Sequence, residues 1–310
     1  MGTGIRMSDT QQMSQTAQHR TPTGQRGYHS PEQDPPGTTD RMTPRPDHGE
    51  HTYEGHARLK GLRALITGGD SGIGRAVAIA FAREGAAGVA IGHLPAEQGD
   101  AHETAHWVSD AGAEVVLVPG DLTDPEVCRT VVDEAVNQLG GLDILVNNAG
   151  FHFAKGEAGT VQGLQPDTVQ RVLKTNVEAV LWVTQAALPH LGEGSVIINT
   201  SSIQSYEPSG HLLDYAATKA AINSITVNLA EQLGPQGIRV NAVAPGPIWT
   251  PLQPATRDPE QLESFGAEAP LGRAGQPAEV APAYVFLASP TDASYVSGSI
   301  LGVTGGKATF

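Results

Sequence analysis

The chain has 310 residues, a formal net charge of −14 and one cysteine, Cys128. That length suits one large α/β domain with an extension, and the acidic balance without any basic cluster argues against a nucleic-acid or anionic-membrane surface. A lone thiol excludes an intrachain disulfide and a thiolate zinc cluster. No apolar run approaches the ~20 residues that span a bilayer, and the N-terminus lacks the apolar core of a signal peptide, so the expected location is the cytoplasm.

Residues 1–56 are rich in Gln, Thr, Pro, Gly and His and nearly devoid of aliphatic residues. Such a segment cannot bury enough surface to offset its ordering entropy and is expected to be a largely irregular tail. His19, His29, His48, His51 and His56 show no ligand spacing and are read as solvated. A single domain is expected over residues 57–310. From Leu62 the pattern becomes strand, Gly-rich turn, helix: LRALITGGDSGIGRAVAIAFAREG. The Gly68-x-x-x-Gly72-x-Gly74 spacing follows a strand and opens a helix, the context in which glycines admit a pyrophosphate to backbone N–H groups and a helix dipole.

A second strand, Val89 to Gly92, is expected to end beside the adenosine ribose. An acid there favours NAD and a base favours the 2′-phosphate of NADP. The sequence has Gly92, His93 and Leu94 instead, so this reporter is missing. The next helix carries His102-Glu103-Thr104-Ala105-His106, which matches the zinc-protease pattern H-E-x-x-H. In a Rossmann crossover that helix covers the outside of the sheet, away from the ligand-binding strand ends, and no third ligand is evident. A zinc hydrolase through His102, Glu103 and His106 is the remote alternative.

The alternation continues through a strand at Glu114 to Val118, a helix at Pro125 to Leu139, a strand at Leu142 to Val146 and the tetrapeptide Asn147 to Gly150. One long helix is expected over Pro166 to Leu191, with Asn176 set among Val172, Leu173, Val177 and Val180. The stretch from Ser195 to Asn223 opens as a buried strand, turns at Thr200 to Ser202 and enters an Ala-rich helix near Asp214. Tyr215 and Lys219 share one helical face a turn apart, and the preceding loop can bring the Ser202 hydroxyl to the same place. A cation held beside a phenol favours the phenolate and draws its pKa toward neutrality. A strand at Ile238 to Val243, a polar excursion over Trp249 to Gly275, a helix near Ala278 to Leu287 and a strand at Ser299 to Val303 follow. Seven strands alternating with helices predict an α/β fold: a single Rossmann-type doubly wound domain, with a parallel sheet covered on both faces.

These residues resemble the short-chain dehydrogenase/reductase family from Lys60 to Gly306. The resemblance is carried by TGGDSGIG (Thr67 to Gly74), Asp121-Leu122, NNAG (Asn147 to Gly150), Asn176, Ser202, YAATK (Tyr215 to Lys219) and PGPI (Pro245 to Ile248). With its Pro-rich extension the chain looks closest to the glucose/ribitol dehydrogenase-like, or general-stress oxidoreductase, branch. The resemblance implies hydride transfer between nicotinamide and an alcohol or carbonyl compound such as a sugar, polyol, aldehyde or ketone. It makes Tyr215 the general acid/base, has Lys219 lower its pKa and bond the nicotinamide ribose, has Ser202 hold the substrate oxygen, and has Asn176 orient a relay water. It assigns Gly68, Asp70, Ser71, Gly72, Ile73 and Gly74 to the cofactor phosphates and ribose. Asp121 and Leu122 fall to the adenine, Asn148 to the ribose side and Ile248 to the nicotinamide amide. The cofactor is NAD or NADP, the choice unresolved with a slight lean to NAD.

Phe151, His152, Phe153, Gln204 and His211 are candidates to flank a substrate pocket. A non-catalytic dinucleotide-binding sensor or scaffold is the alternative function, and the presence of Asn176, Ser202, Tyr215 and Lys219 together speaks against it. The resemblance also suggests a homo-oligomer, a tetramer, paired through the helices bearing Asn176 and Tyr215 at Ala186, Ala187, Ala220, Ala221 and Val227. The tail is expected to dock through Met42, Pro44, Pro46 and Tyr53. No nucleic-acid or membrane partner is expected.

Overall fold

Seven short runs of aliphatic and β-branched residues form one parallel sheet in the computed structural model, which describes Tyr28 and residues 30–309. The strands are β1 (Arg63–Thr67), β2 (Gly88–His93), β3 (Glu114–Pro119), β4 (Ile144–Asn147), β5 (Val196–Thr200), β6 (Arg239–Pro245) and β7 (Ile300–Val303), in the spatial order β3-β2-β1-β4-β5-β6-β7. All residues of β2, β5 and β6 are buried, as strands covered on both faces must be. One face packs against α1 (Gly72–Arg83), α2 (Gln98–Asp110) and a helix at Pro277–Ala288, through Ala76, Val77, Phe81, Val108, Val280 and Tyr284. The other packs against α3 (Pro125–Leu139) and two helices that follow β4 and β5, through Val131, Ala135, Val183, Ala187 and Leu233. Strand order reverses between β1 and β4, which opens a crevice at their carboxyl ends.

The helix expected over Pro166 to Leu191 is interrupted. It consists of α4 (Pro166–Leu173), a π-helical turn at Lys174–Glu178 and α5 (Ala179–Ala187), closed by a 3₁₀ turn at Leu188–His190. The π turn turns the Asn176 amide inward, where its hydrogen bonds offset the distorted backbone ladder. Ala187 lies in the core rather than on an outer face. The stretch over Trp249 to Gly275 holds two five-residue helices, α7 (Leu252–Thr256) and α8 (Pro259–Glu263), which follow α6 (Leu213–Leu233) and β6 in the chain.

Residues 30–56 have one 3₁₀ turn, Thr39–Arg41, and otherwise irregular backbone laid on the domain. Tyr28 stacks on Trp249 with ring centroids 4.0 Å apart, and Met42 is buried in the same cluster with Leu262 and Ala274. Trp249 Nε1 donates to Pro44 O (2.8 Å), Pro46 is buried, and Tyr53 Oη donates to Glu84 Oε1 (2.6 Å). His48 departs from the expectation of solvated histidines. It is buried, its Nδ1 lies 3.0 Å from Glu50 Oε1, and burial holds its pKa below the usual value. His19 and His29 lie outside the described residues.

Candidate active site

A cleft at the carboxyl ends of the strands gathers Gly68, Asp70, Ser71, Gly72, Ile73, Asp121, Leu122, Asn148, Ser202, Tyr215, Lys219 and Ile248 on its walls. Gly74 lies beneath them. A Cβ there would fall 1.9 Å from Gly68 O and 2.7 Å from Asn148 Nδ2, so only glycine lets α1 start this close under the turn. Gly68 takes φ +61°, and a Cβ on it would meet the Ala149 backbone at 3.0 Å. The Asn148 side chain locks this approach, with Nδ2 donating to Thr67 O (3.1 Å) and Gly68 O (2.9 Å). The helix dipole and the unpartnered N–H groups at the start of α1 therefore face the cleft, and the glycines leave backbone room for a pyrophosphate.

At the adenosine end lie Asp70, His93, Leu94 and Glu97. Asp70 is buried and its Oδ2 has no hydrogen-bond partner. Burial pushes its carboxyl up to about 6 against a bond from Ser71, and pushes Glu97 up to about 8 with the Asp70 charge adding to the effect. Arg75 is fully buried just behind. Its Nε donates to Asp70 O and Thr104 Oγ1 (both 2.9 Å), its Nη2 to Asp100 Oδ1 (2.7 Å) and its Nη1 to Glu103 Oε2 (3.0 Å). The orphaned Asp70 oxygen is the atom most suited to accept a ribose hydroxyl.

The expected catalytic residues Ser202, Tyr215 and Lys219 come together where β5 meets α6. Lys219 Nζ donates to Thr200 O (2.8 Å) and lies 5.5 Å from the centroid of the Tyr215 ring. Burial brings Lys219 down to about 8. Burial raises Tyr215, while the Ser202 hydroxyl bonded to the phenol and the charge of Arg257 pull it back. The expected lowering of the phenol by Lys219 is not found here: the ammonium is turned onto the Thr200 carbonyl, and burial sets the direction of the Tyr215 shift.

Asn176 Nδ2 donates to Phe151 O (2.8 Å) and Thr218 Oγ1 (3.0 Å), and its Oδ1 accepts from Phe151 N (2.8 Å). Gly150 packs beside both groups: a Cβ on it would lie in ordinary contact, 3.6 Å from Lys219 Nζ and 3.7 Å from Asn176 Oδ1.

Of the residues expected to flank a substrate, Phe151 lines the cleft, while Gln204 is occupied by Ser209 N (2.7 Å) and His211 is exposed. His152 is buried edge-on to Tyr215 at 5.2 Å, with Nδ1 3.2 Å from Thr256 Oγ1, and burial keeps it neutral. Sequence reasoning missed Gln253 and Arg257 on this side and Pro35 and Pro36 at the mouth, because no local pattern marks residues brought in by a short isolated helix or an irregular segment. It also missed the Thr184–Asn147–Asn199–Thr226 ladder of hydrogen bonds beneath the cleft (3.0–3.1 Å). Successive polar residues at strand ends were its signal.

The His102, Glu103, His106 pattern lies on the exposed side of α2. Glu103 is bound by Arg75 and Arg45, and His102 Nε2 lies 2.9 Å from Gln98 Nε2. Among the described residues no group of three His, Cys, Asp or Glu side chains is arranged to hold a metal ion.

A family model described as enoyl-(acyl carrier protein) reductase matches residues 68–308. The chain is 46% identical over 279 residues to glucose and ribitol dehydrogenase of Daucus carota, covering 87% of this chain and 93% of the relative. It is 46% identical over 276 residues to NADPH-dependent aldehyde reductase 1, chloroplastic, of Arabidopsis thaliana, covering 87% and 94%. Among solved structures, a short chain dehydrogenase from Burkholderia cenocepacia J2315 in complex with NADP superposes with a TM-score of 0.74 at 37% identity, over 80% of this chain and 98% of that one.

Proposed function

Since the chain belongs to the short-chain dehydrogenase/reductase family and is an NAD(P)-dependent oxidoreductase, we propose that it interconverts a small polar alcohol and its carbonyl, with Tyr215 moving the proton. The observation that carries this reading is the convergence of Ser202, Tyr215 and Lys219 in the cleft that the glycine turn opens. A bound nicotinamide would supply or take the hydride. In the reducing direction the Tyr215 hydroxyl gives its proton to the carbonyl oxygen while the Ser202 hydroxyl holds that oxygen in place; oxidation runs the same transfer backward. Lys219, at about 8, exchanges protons near neutral pH and holds a ribose hydroxyl when it leaves Thr200 O. A water recruited beside Gly150, between Lys219 and Asn176, would extend the proton path toward solvent.

The fit of the dinucleotide rests on the Gly74 contact, the open N-terminus of α1 and the orphaned Asp70 oxygen. Gly68, Ser71, Gly72, Ile73 and Gly74 would hold the phosphates, Asp121 and Leu122 the adenine, Asn148 the ribose side and Ile248 the nicotinamide amide. The ribose end favours NAD. The orphaned Asp70 oxygen suits a ribose 2′-hydroxyl and Arg75 behind it is committed to Asp100 and Glu103, whereas Arg171, which lines the cleft and acts on Glu97, is the guanidinium a 2′-phosphate would have to recruit.

Sugars, polyols, aldehydes and ketones assayed by nicotinamide absorbance with each cofactor test the reaction; the expected outcome is turnover of a polyol or small aldehyde. Calorimetric titration tests the cofactor. NAD is expected to bind more tightly than NADP, and Asp70→Asn to narrow the gap. Tighter NADP binding, in line with the Arabidopsis relative's name, overturns the preference alone.

We also read the working protein as a homo-oligomer in the cytoplasm, with a polar extension over 1–56 and a catalytic domain over 57–310. Support comes from exposed apolar side chains on α4, α5 and α6, namely Leu173, Leu181, Trp182 and Val227. A C2 pairing of these faces makes a dimer or tetramer the natural product, and light scattering that finds a monomer removes it. Among the described residues no helix is long and apolar enough to cross a membrane.

A further inference from the structure

The dinucleotide cleft has a wall that the sheet and its helices do not provide. Pro35 and Pro36 line it beside Asp70, Gly72 and Ile73 and the segment from Thr250 to Gln253. The segment carrying these prolines is fastened on both sides of the cleft. On the substrate side, Tyr28 N donates to Leu262 O (3.0 Å), Gln33 N to Pro254 O (3.2 Å), and Lys155 Nζ to Glu32 Oε1 (2.7 Å) and Gln33 O (3.3 Å). On the adenosine side, Thr39 N donates to Asp100 Oδ2 (3.0 Å), the carboxylate whose other oxygen is held by Arg75. Between these anchors the Gln33 side chain staples the segment into a loop, with Oε1 accepting from Thr38 N (2.7 Å) and Nε2 donating to Thr38 O (3.3 Å).

Gly37 packs tightly against the start of α7. It takes φ +80°, and a Cβ on it would sit 2.7 Å from Pro251 O and 3.0 Å from Ala255 Cβ. Pro251 and Thr250 in turn stand over the pyrophosphate turn, within 3.9 Å of where a Cβ on Gly72 would be. The layers are therefore stacked: phosphate turn, α7 with the residues before it, then the loop at 33–39. Gln33, Gly37 and Thr39 are buried although they belong to a polar segment, so the loop is packed in place.

We propose that residues 33–39 are part of the dinucleotide site, a strap that joins the substrate-side helix α7 to the adenosine-side helix α2 across the mouth of the cleft and retains the nicotinamide dinucleotide. This rests on reading the cleft as the cofactor site. A dinucleotide held between Asp70 and Ile248 would lie against the strap, and the Thr39–Asp100 bond and the Gly37–Pro251 contact would slow its departure. The strap thus acts on dissociation more than on association, because it adds a barrier to leaving and contributes little charge to steer arrival.

The test uses the full chain with NAD or NADP, whichever binds. Binding is followed by quenching of tryptophan fluorescence, and dissociation by stopped-flow displacement with excess adenosine diphosphate ribose. Gly37→Val drives a side chain into Pro251 O; Gln33→Ala removes the staple without adding bulk. Faster amide exchange at Thr38 and Thr39 verifies that the strap has loosened. The expected result is a dissociation rate about tenfold faster in both variants, an association rate within about twofold, and a cofactor-free melting temperature close to that of the parent. Unchanged dissociation in a variant whose Thr38 and Thr39 exchange faster overturns the strap and leaves the site intact. Exchange that is unchanged in both variants also overturns it, since the contacts named here would then not hold the loop. A parent chain that binds neither dinucleotide removes the proposed function and the strap together.

Discussion

The two ends of the cleft bury ionisable groups and stabilise them differently. At the catalytic end, burial moves a phenol up and an ammonium down, and each is partnered: Tyr215 by Ser202, Lys219 by the Thr200 carbonyl. At the adenosine end, burial moves two acids up, Asp70 to about 6 and Glu97 to about 8, and one oxygen of Asp70 has no partner at all. Under the proposed function, the contrast separates a group held ready for proton transfer from a group left open for a ligand. A reactive side chain must keep its geometry through turnover, whereas a binding side chain can leave a bond unmade until the ligand supplies it.

The largest test of this contrast is Tyr215→Phe, which removes the proton carrier and little packing. Turnover is expected to fall by about 10²–10⁴-fold while dinucleotide affinity stays within about twofold. Near-parental turnover would mean that the catalytic end does not work as described.

Gly74→Ala attacks the other end through the backbone. Its Cβ would fall on Gly68 O, so the turn and α1 must separate. A loss of about 1–3 kcal/mol in urea-unfolding stability is expected, together with weakened dinucleotide binding. Parental stability and affinity would show that the turn tolerates displacement and does not set the site.

A smaller effect distinguishes the ends by pH. Glu97 has its folded pKa raised from an ordinary 4.5 to about 8, so the fold favours the protonated acid. That contribution is present below the ordinary value and is lost as pH rises through about 8, because the folded state binds the extra proton in between. Glu97→Gln, which cannot ionise, is therefore expected to melt progressively higher relative to the parent as pH rises from about 5 to about 9, by a few degrees at most. A constant difference across that range would remove Glu97 from the buried acid pair.

The smallest effect is expected outside the cleft. His102→Ala combined with His106→Ala touches only the exposed side of α2, so activity within about twofold and stability within about 0.5 kcal/mol of the parent are expected. A large loss in either would show that the two ends do not account for the function.

Much of this was legible before any coordinate. Periodicity placed all seven strands within one or two residues, since runs such as Val196 to Ile198 suit only a strand buried on both faces. The glycine turn was legible because a Cβ at Gly74 has no room, and Tyr215 with Lys219 because four residues is one helical turn. Both are local constraints, written into neighbouring positions. What the tertiary structure decided is non-local. The π turn at Asn176 exists because its amide meets Phe151 and Thr218, 25 and 42 residues away. The direction of the Tyr215 shift follows from how much protein surrounds the phenol, which spacing does not encode. Residues 33–39 have no periodicity of their own; the Gln33 staple closes the loop, but its place on the domain is set by Asp100 and Pro254, and such distant anchors leave no pattern for a sequence to display.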